Sequence, residues 1–183
     1  MDKQAKLDKI AKDIALCKKC KENKSGKAVP GEGNPNADIV FLGEAPGKNE
    51  ALTGRPFIGR SGKLLRKLIT EIGLKESEVF ITSPVKYLPD YGTPKTKDIE
   101  HGKTHLQKQL DVIQPKLIVL LGRVAKEAML GKKLLKEVAH KHIVVENNNT
   151  YFLTYHPAAA IRFQKFRGVL EKDFKELKRF IKE

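Results

Sequence analysis

A chain of 183 residues is long enough for one sizeable domain and short for two, and its 40% hydrophobic content contains no apolar run near the ~18 residues that suggest a membrane span. Lys plus Arg outnumber Asp plus Glu by 36 to 22, a formal charge of +14, which points either to a polyanionic partner, most often nucleic acid, or to a lysine-rich solvated surface. The opening MDKQAKLDKIAKDIAL is charged and amphipathic and lacks the apolar centre and cleavage site of a secretory signal, so a cytoplasmic protein is expected.

Taken in order, residues 1–16 read as a helix with Leu7, Ile10, Ile14 and Ala11 facing inward. Cys17 and Cys20, the only two cysteines, follow as a Cys-x-x-Cys pair. In a cytosolic chain this spacing means metal or redox chemistry more often than a disulfide, but the pair supplies only half of the ligand set that zinc or an iron-sulfur cluster takes. Residues 18–36 are basic and rich in Gly and Pro, and are expected to be an ordered loop.

The apolar run Ile39-Val40-Phe41-Leu42 reads as a buried strand that turns at once into Gly43-Glu44-Ala45-Pro46-Gly47. Such a turn presents amides, carbonyls and the Glu44 carboxylate at the carboxyl edge of a sheet, where open α/β sheets bind ligands. A second Gly- and Pro-bearing loop, residues 53–59, leads into a helix over 61–72 with Leu64, Leu65, Leu68, Ile69 and Ile72 on one face. Val79–Thr82 is a second strand ending at Ser83-Pro84, residues 87–97 a loop, and Thr96 or Lys97 to Ile113 a helix with Asp98 in its first turn. Residues 116–121, KLIVLL, form a third strand, followed by a helix over 124–129. Strands at 142–146 and 151–154, joined by an asparagine turn, lead to Tyr155-His156-Pro157 and a terminal helix over 166–182. Apolar strands alternating with amphipathic helices predict a single α/β domain over 1–183, a three-layer α/β/α arrangement around a mostly parallel central sheet. Residues 1–36 would form its N-terminal helix and cysteine loop.

Several residues carry candidate chemistry. Glu44, at a strand end, could orient water or stabilise a cation, or it could cap a loop amide. Phe57, in a Gly-bounded loop, is either a core plug or a platform for a planar ligand. His156 is either a structural histidine or a functional one; its place between a strand and Pro157, where the proline holds the ring's approach direction, favours function. His101 and His105 stand four apart on one helix, a chelating spacing, but without a third ligand nearby in sequence they read as surface residues. Arg162, Lys165 and Arg167 alternate with Phe163 and Phe166, suited to a phosphate backbone unless the aromatics are core.

The block GEGNPNADIVFLGEAPGKNEALTGRPFIGRSGKLL, with Cys17-x-x-Cys20 upstream and the KLIVLLG and HPAAAIR segments downstream, resembles the type-4, iron-sulfur uracil-DNA glycosylases over nearly the whole chain. The resemblance implies a uracil-DNA glycosylase-like α/β/α domain, acting as a monomer on DNA that contains uracil or a related deaminated base. Such an enzyme flips the base from the stack and hydrolyses its N-glycosidic bond. It implies that Glu44 and His156 are catalytic, His156 donating to uracil O2. Ala45, Gly47, Glu50, Phe57 and Ser83 would bind the base, Glu50 on the side that excludes the thymine methyl and Phe57 stacked on the ring. Arg162, Lys165 and Arg167 would meet the DNA.

Three positions depart from the family. Ser83 stands where the family has an asparagine that pairs with the uracil edge, and the third and fourth cluster cysteines would fall near Tyr87 and Gly102. With Cys17 and Cys20 as the remaining metal ligands, the family's [4Fe-4S] cluster is expected to be absent or altered; His101 lies beside the Gly102 position, and a two-cysteine, histidine-assisted site is the alternative. A member that binds uracil-containing or damaged DNA without turnover is the alternative reading of these departures.

Overall fold

The computed structural model describes residues 1–137 and 142–182. Asp2 caps the first helix, α1 (Lys3–Leu16), by accepting from the Ala5 amide, and the helix buries Leu7, Ile10 and Ile14, while Ala11 is only partly covered. The segment expected as a plain loop over 18–36 contains a single helical turn, α2 (Lys18–Lys21), and two short strands, β1 (Lys24–Ser25) and β2 (Glu32–Gly33). These elements escape a periodicity reading because each is too short to display a period. Strand β3 (Ile39–Leu42) then leads to α3 (Lys48–Thr53) and α4 (Arg60–Glu71).

Next come β4 (Val79–Thr82), a two-residue strand β5 (Leu88–Pro89), and α5 (Thr96–Ile113). The expected loop over 87–97 thus contains β5, which pairs antiparallel with β1, Lys24 opposite Pro89 and Ser25 opposite Leu88. Strand β6 (Leu117–Leu121) runs into α6 (Gly122–Glu137), far longer than the helix expected over 124–129. Gly131, at φ 70° and ψ 163°, breaks its helical backbone after Leu130. Strands β7 (Ile143–Glu146) and β8 (Asn149–Thr154) form the expected hairpin, with Asn147 and Asn148 in left-handed conformation. The terminal helix is two helices, α7 (Pro157–Arg162) and α8 (Gln164–Phe180), separated by an extended Phe163.

The main sheet has the order β2-β4-β3-β6-β8-β7, with the β3–β4, β3–β6 and β6–β8 pairs parallel and the outer pairs β2–β4 and β7–β8 antiparallel. The central strands are apolar on both faces because each face is covered. Val40, Leu42, Ile118, Leu120 and Leu153 pack with α1, α5 and α6, whereas Phe41, Val119, Leu121 and Phe152 pack with α4 and α8. Helices on both sides of a mostly parallel sheet make the expected three-layer α/β/α domain. Among the described residues no helix is long and apolar enough to cross a membrane.

Candidate active site

The parallel strands β3, β4 and β8 end together, and the segments that leave them enclose a cleft of about 260 Å³. Glu44, Ala45, Gly47, Glu50, Phe57, Ser83 and His156 all line it, so every residue expected at a base pocket reaches one cavity from three separate stretches of chain. Val29, Leu88 and Pro89 close a further side, contributed by the loop between β1 and β2 and by β5.

His156 caps α7, its Nδ1 accepting from the Ala158 amide at 3.1 Å. Burial lowers its pKa to about 4, so the ring is neutral near pH 7. With Nδ1 occupied as an acceptor, the single ring proton resides on Nε2, which makes Nε2 a donor. The ring lies against Phe57, with centroids 5.6 Å apart and planes 26° from parallel.

Phe57 is a buried, non-glycine residue at φ +50°. That strained backbone is held from outside: Arg66 donates to the Phe57 and Pro56 carbonyls at 3.0 Å each, and is itself fixed by Glu32 and Glu76. A Cβ on Gly43 would lie 2.5 Å from the Phe57 ring carbons, so the close seating of this ring against the first turn requires a glycine there.

Glu50 is only 8% exposed, and both of its carboxylate oxygens are engaged. Oε1 accepts from the Ile58 and Gly59 amides at 2.8 and 2.9 Å, and Oε2 accepts from the Gly47 amide at 3.2 Å. Its structural action is therefore to clamp the GEAPG turn to the Phe57 loop, a function that spacing in sequence did not reveal. Ser83 is buried and donates its hydroxyl proton to the Val85 carbonyl at 2.8 Å, leaving only acceptor lone pairs for anything in the cleft. Glu44 is half-buried; burial raises its pKa and the positive charge of Arg123 opposes that rise.

Arg162, Lys165 and Arg167 stand outside the cleft, on and after α7. Arg162 lies over the Phe163 ring at 5.4 Å, Lys165 over Phe166 at 5.1 Å, and Arg167 pairs with Glu171 at 3.1 Å. Phe163 is 47% exposed, so of the two aromatics left open as core in the sequence it belongs to the surface, while Phe166 is half-buried against Tyr155. Arg167 also borders a shallow basic depression with Arg60, Lys63 and Lys67.

A model of the uracil DNA glycosylase superfamily matches residues 30–182. The chain belongs to that superfamily. It is 41% identical to a type-4 uracil-DNA glycosylase of Sulfurisphaera tokodaii, with 94% of this chain and 83% of the relative covered. Identity is 42% to the type-4 uracil-DNA glycosylase of Saccharolobus solfataricus, over 94% and 85%, and 38% to that of Archaeoglobus fulgidus, over 93% and 91%.

Behind the cleft lies a second polar group. Cys17, Cys20, His101 and His105 bring one ligand atom each to within 4.8 Å of one another, which corrects the reading of the two histidines as surface residues. His105 is buried, His101 partly so; α5 turns both toward the Cys-x-x-Cys turn, a contact between segments 84 residues apart that no local pattern encodes. Burial, with Cys17 beside it, pushes the Cys20 thiol up to about 12.

The [4Fe-4S] cluster implied by the type-4 resemblance does not fit these residues. Its remaining two ligand positions are filled. Tyr87 is 3% exposed and donates its hydroxyl to the Ala15 carbonyl at 3.2 Å. At Gly102 a Cβ would lie 2.0 Å from the Pro84 carbonyl oxygen, so the main chain occupies the space a cysteine side chain would need.

Between the two groups sits Lys86, fully buried, its ammonium donating to Gln109 Oε1 at 2.7 Å, Thr82 Oγ1 at 2.8 Å and the Pro30 carbonyl at 3.2 Å. Burial lowers its pKa to about 7. Its own carbonyl accepts from the Val29 amide, so one residue holds the loop that walls the cleft from both its side chain and its backbone. A buried lysine inside SPVKYL carries no sequence signal, and the strand-end motif before it does not single it out.

Proposed function

We propose that the chain is a uracil-DNA glycosylase, a hydrolase that cleaves the N-glycosidic bond of uracil flipped out of DNA in base-excision repair. The observation that carries the reading is the convergence of Glu44, Ala45, Gly47, Glu50, Phe57, Ser83 and His156 on one cleft at the carboxyl edge of the sheet. The excess of 36 basic over 22 acidic residues suits a DNA partner, and type-4 relatives over most of the chain support uracil as the base.

In this reading the Phe57 ring offers the flipped base an aromatic face. As the bond between the sugar C1′ and uracil N1 breaks, the electron pair leaves with the base and positive charge develops on the sugar. His156, neutral and with its proton on Nε2, donates to uracil O2 where negative charge accumulates, and the Ala45 amide faces the base. Preorganised donors of this kind are worth on the order of 3 kcal/mol each. Glu44, as a carboxylate, stabilises the sugar cation and orients the water that adds to C1′, and the water's proton passes to Glu44 or solvent. Glu50 holds the two walls in register, and Ser83 offers an acceptor to the base edge. Arg162, Lys165 and Arg167 neutralise phosphates, offsetting the few kcal/mol that unstacking costs.

The same reading takes the metal group to be altered from the family's cluster, with Cys17 and Cys20 retained as ligands. Incubating the protein with an end-labelled duplex carrying a single U:G pair, followed by alkali, should cut the strand at the uracil. No cleavage with uracil, hypoxanthine or xanthine substrates would remove the glycosylase assignment.

A further inference from the structure

We infer that Cys17, Cys20, His101 and His105 form a mononuclear tetrahedral metal site, with zinc(II) as its ion, in place of an iron-sulfur cluster. The inference is independent of whether the cleft excises uracil.

Geometry separates a single ion from a cluster. Around one zinc, with Zn–S near 2.3 Å and Zn–N near 2.0 Å, tetrahedral ligand atoms stand roughly 3.3–3.8 Å apart. Here Cys17 Sγ lies 3.2 Å from His101 Nε2, and all four ligand atoms fall within 4.8 Å of one another, close to that shell and needing only a small contraction. A [4Fe-4S] core must fit four irons and four sulfides between its ligands, and this spacing leaves no room for them. A two-iron cluster ligated by two cysteines and two histidines puts the thiolates on one iron and the imidazoles on the other, which would hold Cys17 and His101 apart rather than in contact.

Two further observations point to an ion. Nδ1 of His105 is fully buried with no hydrogen-bond partner among the described residues, although buried polar atoms are normally paired. The Cys20 amide donates to Cys17 Sγ at 3.4 Å, so the short Cys-x-x-Cys turn already points its backbone at the sulfur that a metal would charge. Two thiolates and two neutral imidazoles are the donor set of structural zinc sites, and with zinc(II) the group has no net charge.

The placement assigns the ion a mechanical role. It ties the turn after α1 to the first half of α5. From that turn the chain passes through β1, whose partner β5 supplies Leu88 and Pro89 to the cleft, and on to Val29. Lys24, next along the chain, is locked to Asp98 of α5 at 2.7 Å, so the ion and this buried pair pin the same segment to the same helix.

The test is analysis of the full chain purified without oxygen and without added metal, combined with cobalt(II) titration of chelator-stripped protein. The expected result is one zinc per chain with no acid-labile sulfide. Cobalt(II) should bind at one equivalent with the intense visible bands of a tetrahedral ion and a thiolate-to-cobalt charge-transfer band, and zinc should bleach both. His105→Ala and Cys20→Ser should abolish the bands, whereas His105→Cys should keep one equivalent with a stronger charge-transfer band. The inference is overturned by iron and labile sulfide in either a four-to-four or a two-to-two ratio, by weak octahedral cobalt bands, or by failure to bind either ion. The wild-type stoichiometry decides the matter even if every variant fails to fold.

Discussion

The cleft and the cysteine-histidine corner are both built where distant segments of the chain meet, and they differ in how their polar atoms are arranged. In the cleft the groups stand around an opening of about 260 Å³, and their hydrogen bonds to the protein set orientation, as Ala158 does for His156 and the three amides do for Glu50. In the corner the ligand atoms face one another within 4.8 Å and leave no space for a substrate. The first arrangement suits a reaction and the second suits a staple. Lys86 and the β1–β5 pair hold the segment that runs from the corner to the cleft wall.

The largest expected effect belongs to the cleft. His156→Leu should lower kcat about 10²–10³-fold, the loss of one preorganised donor, in single-turnover assays on uracil-containing duplex. Metal content should not change. Stability offers a second readout with a defined sign. In the unfolded chain the imidazole protonates near 6.5, in the folded chain only at about 4, so the unfolded state binds more protons between those values and the fold loses stability as pH falls through that window. His156→Leu should flatten that part of the curve. Activity should show an acid limb set by Glu44, beginning above the usual carboxylate range because burial raises its pKa, and the residual activity of Glu44→Gln should lack that limb. An unchanged kcat in His156→Leu would break the distinction between the two regions.

The cleft was legible in the sequence to an unusual degree and the corner only in part, through Cys17-x-x-Cys20 and the nearby His101, for a physical reason. Strands β3, β4 and β6 are continuous apolar runs buried on both sides, and the motifs GEAPG and YHPAAA sit at strand ends, so local pattern and parallel topology together place them on one edge. Cys17 and His101 meet only because α1 packs on α5, a tertiary fact with no local trace, and the histidines at i and i+4 looked solvent-facing when read against their own helix. Lys86 was invisible for a similar reason: nothing adjacent to it announces that Gln109, Thr82 and Pro30 will surround its ammonium. Glu50 was recognised as a wall of the pocket, but its three amide partners depend on the turn of the Phe57 loop, which the sequence does not specify.

Glu50 sharpens the comparison from the structural side of the cleft. Glu50→Ala should orphan the Gly47, Ile58 and Gly59 amides, at a cost of about 1–3 kcal/mol in denaturant unfolding, and should lower kcat/KM as the two loops lose their register. Glu50→Gln, which keeps acceptor capacity at one oxygen, should recover part of both. A variant that loses activity with no change in stability would mean that the carboxylate contacts the base rather than clamping the loops.

A smaller effect, and of opposite sign, is expected at Ser83. Its hydroxyl proton is committed to the Val85 carbonyl, so the base edge meets an acceptor only. Ser83→Asn restores a donor and an acceptor on a longer side chain, and one added hydrogen bond of about 1.4 kcal/mol should raise uracil excision roughly tenfold. No change would mean that the base edge is read elsewhere in the cleft.

The smallest effect lies on the rim and separates it from both regions. Lys165 is exposed over the Phe166 ring, near the Arg162–Phe163 stack at the α7–α8 junction. A lysine that neutralises a phosphate releases a condensed counterion, so Lys165→Gln should reduce the slope of log affinity against log salt by about 0.9, with the same loss on uracil-containing and undamaged duplex. The effect should be nearly invisible in kcat, because the residue acts before the base enters the cleft. If Lys165→Gln instead weakened binding only to uracil-containing DNA, the α7–α8 junction would be sensing the flipped state itself, and the exposed Phe163 beside it would be the first side chain to substitute next.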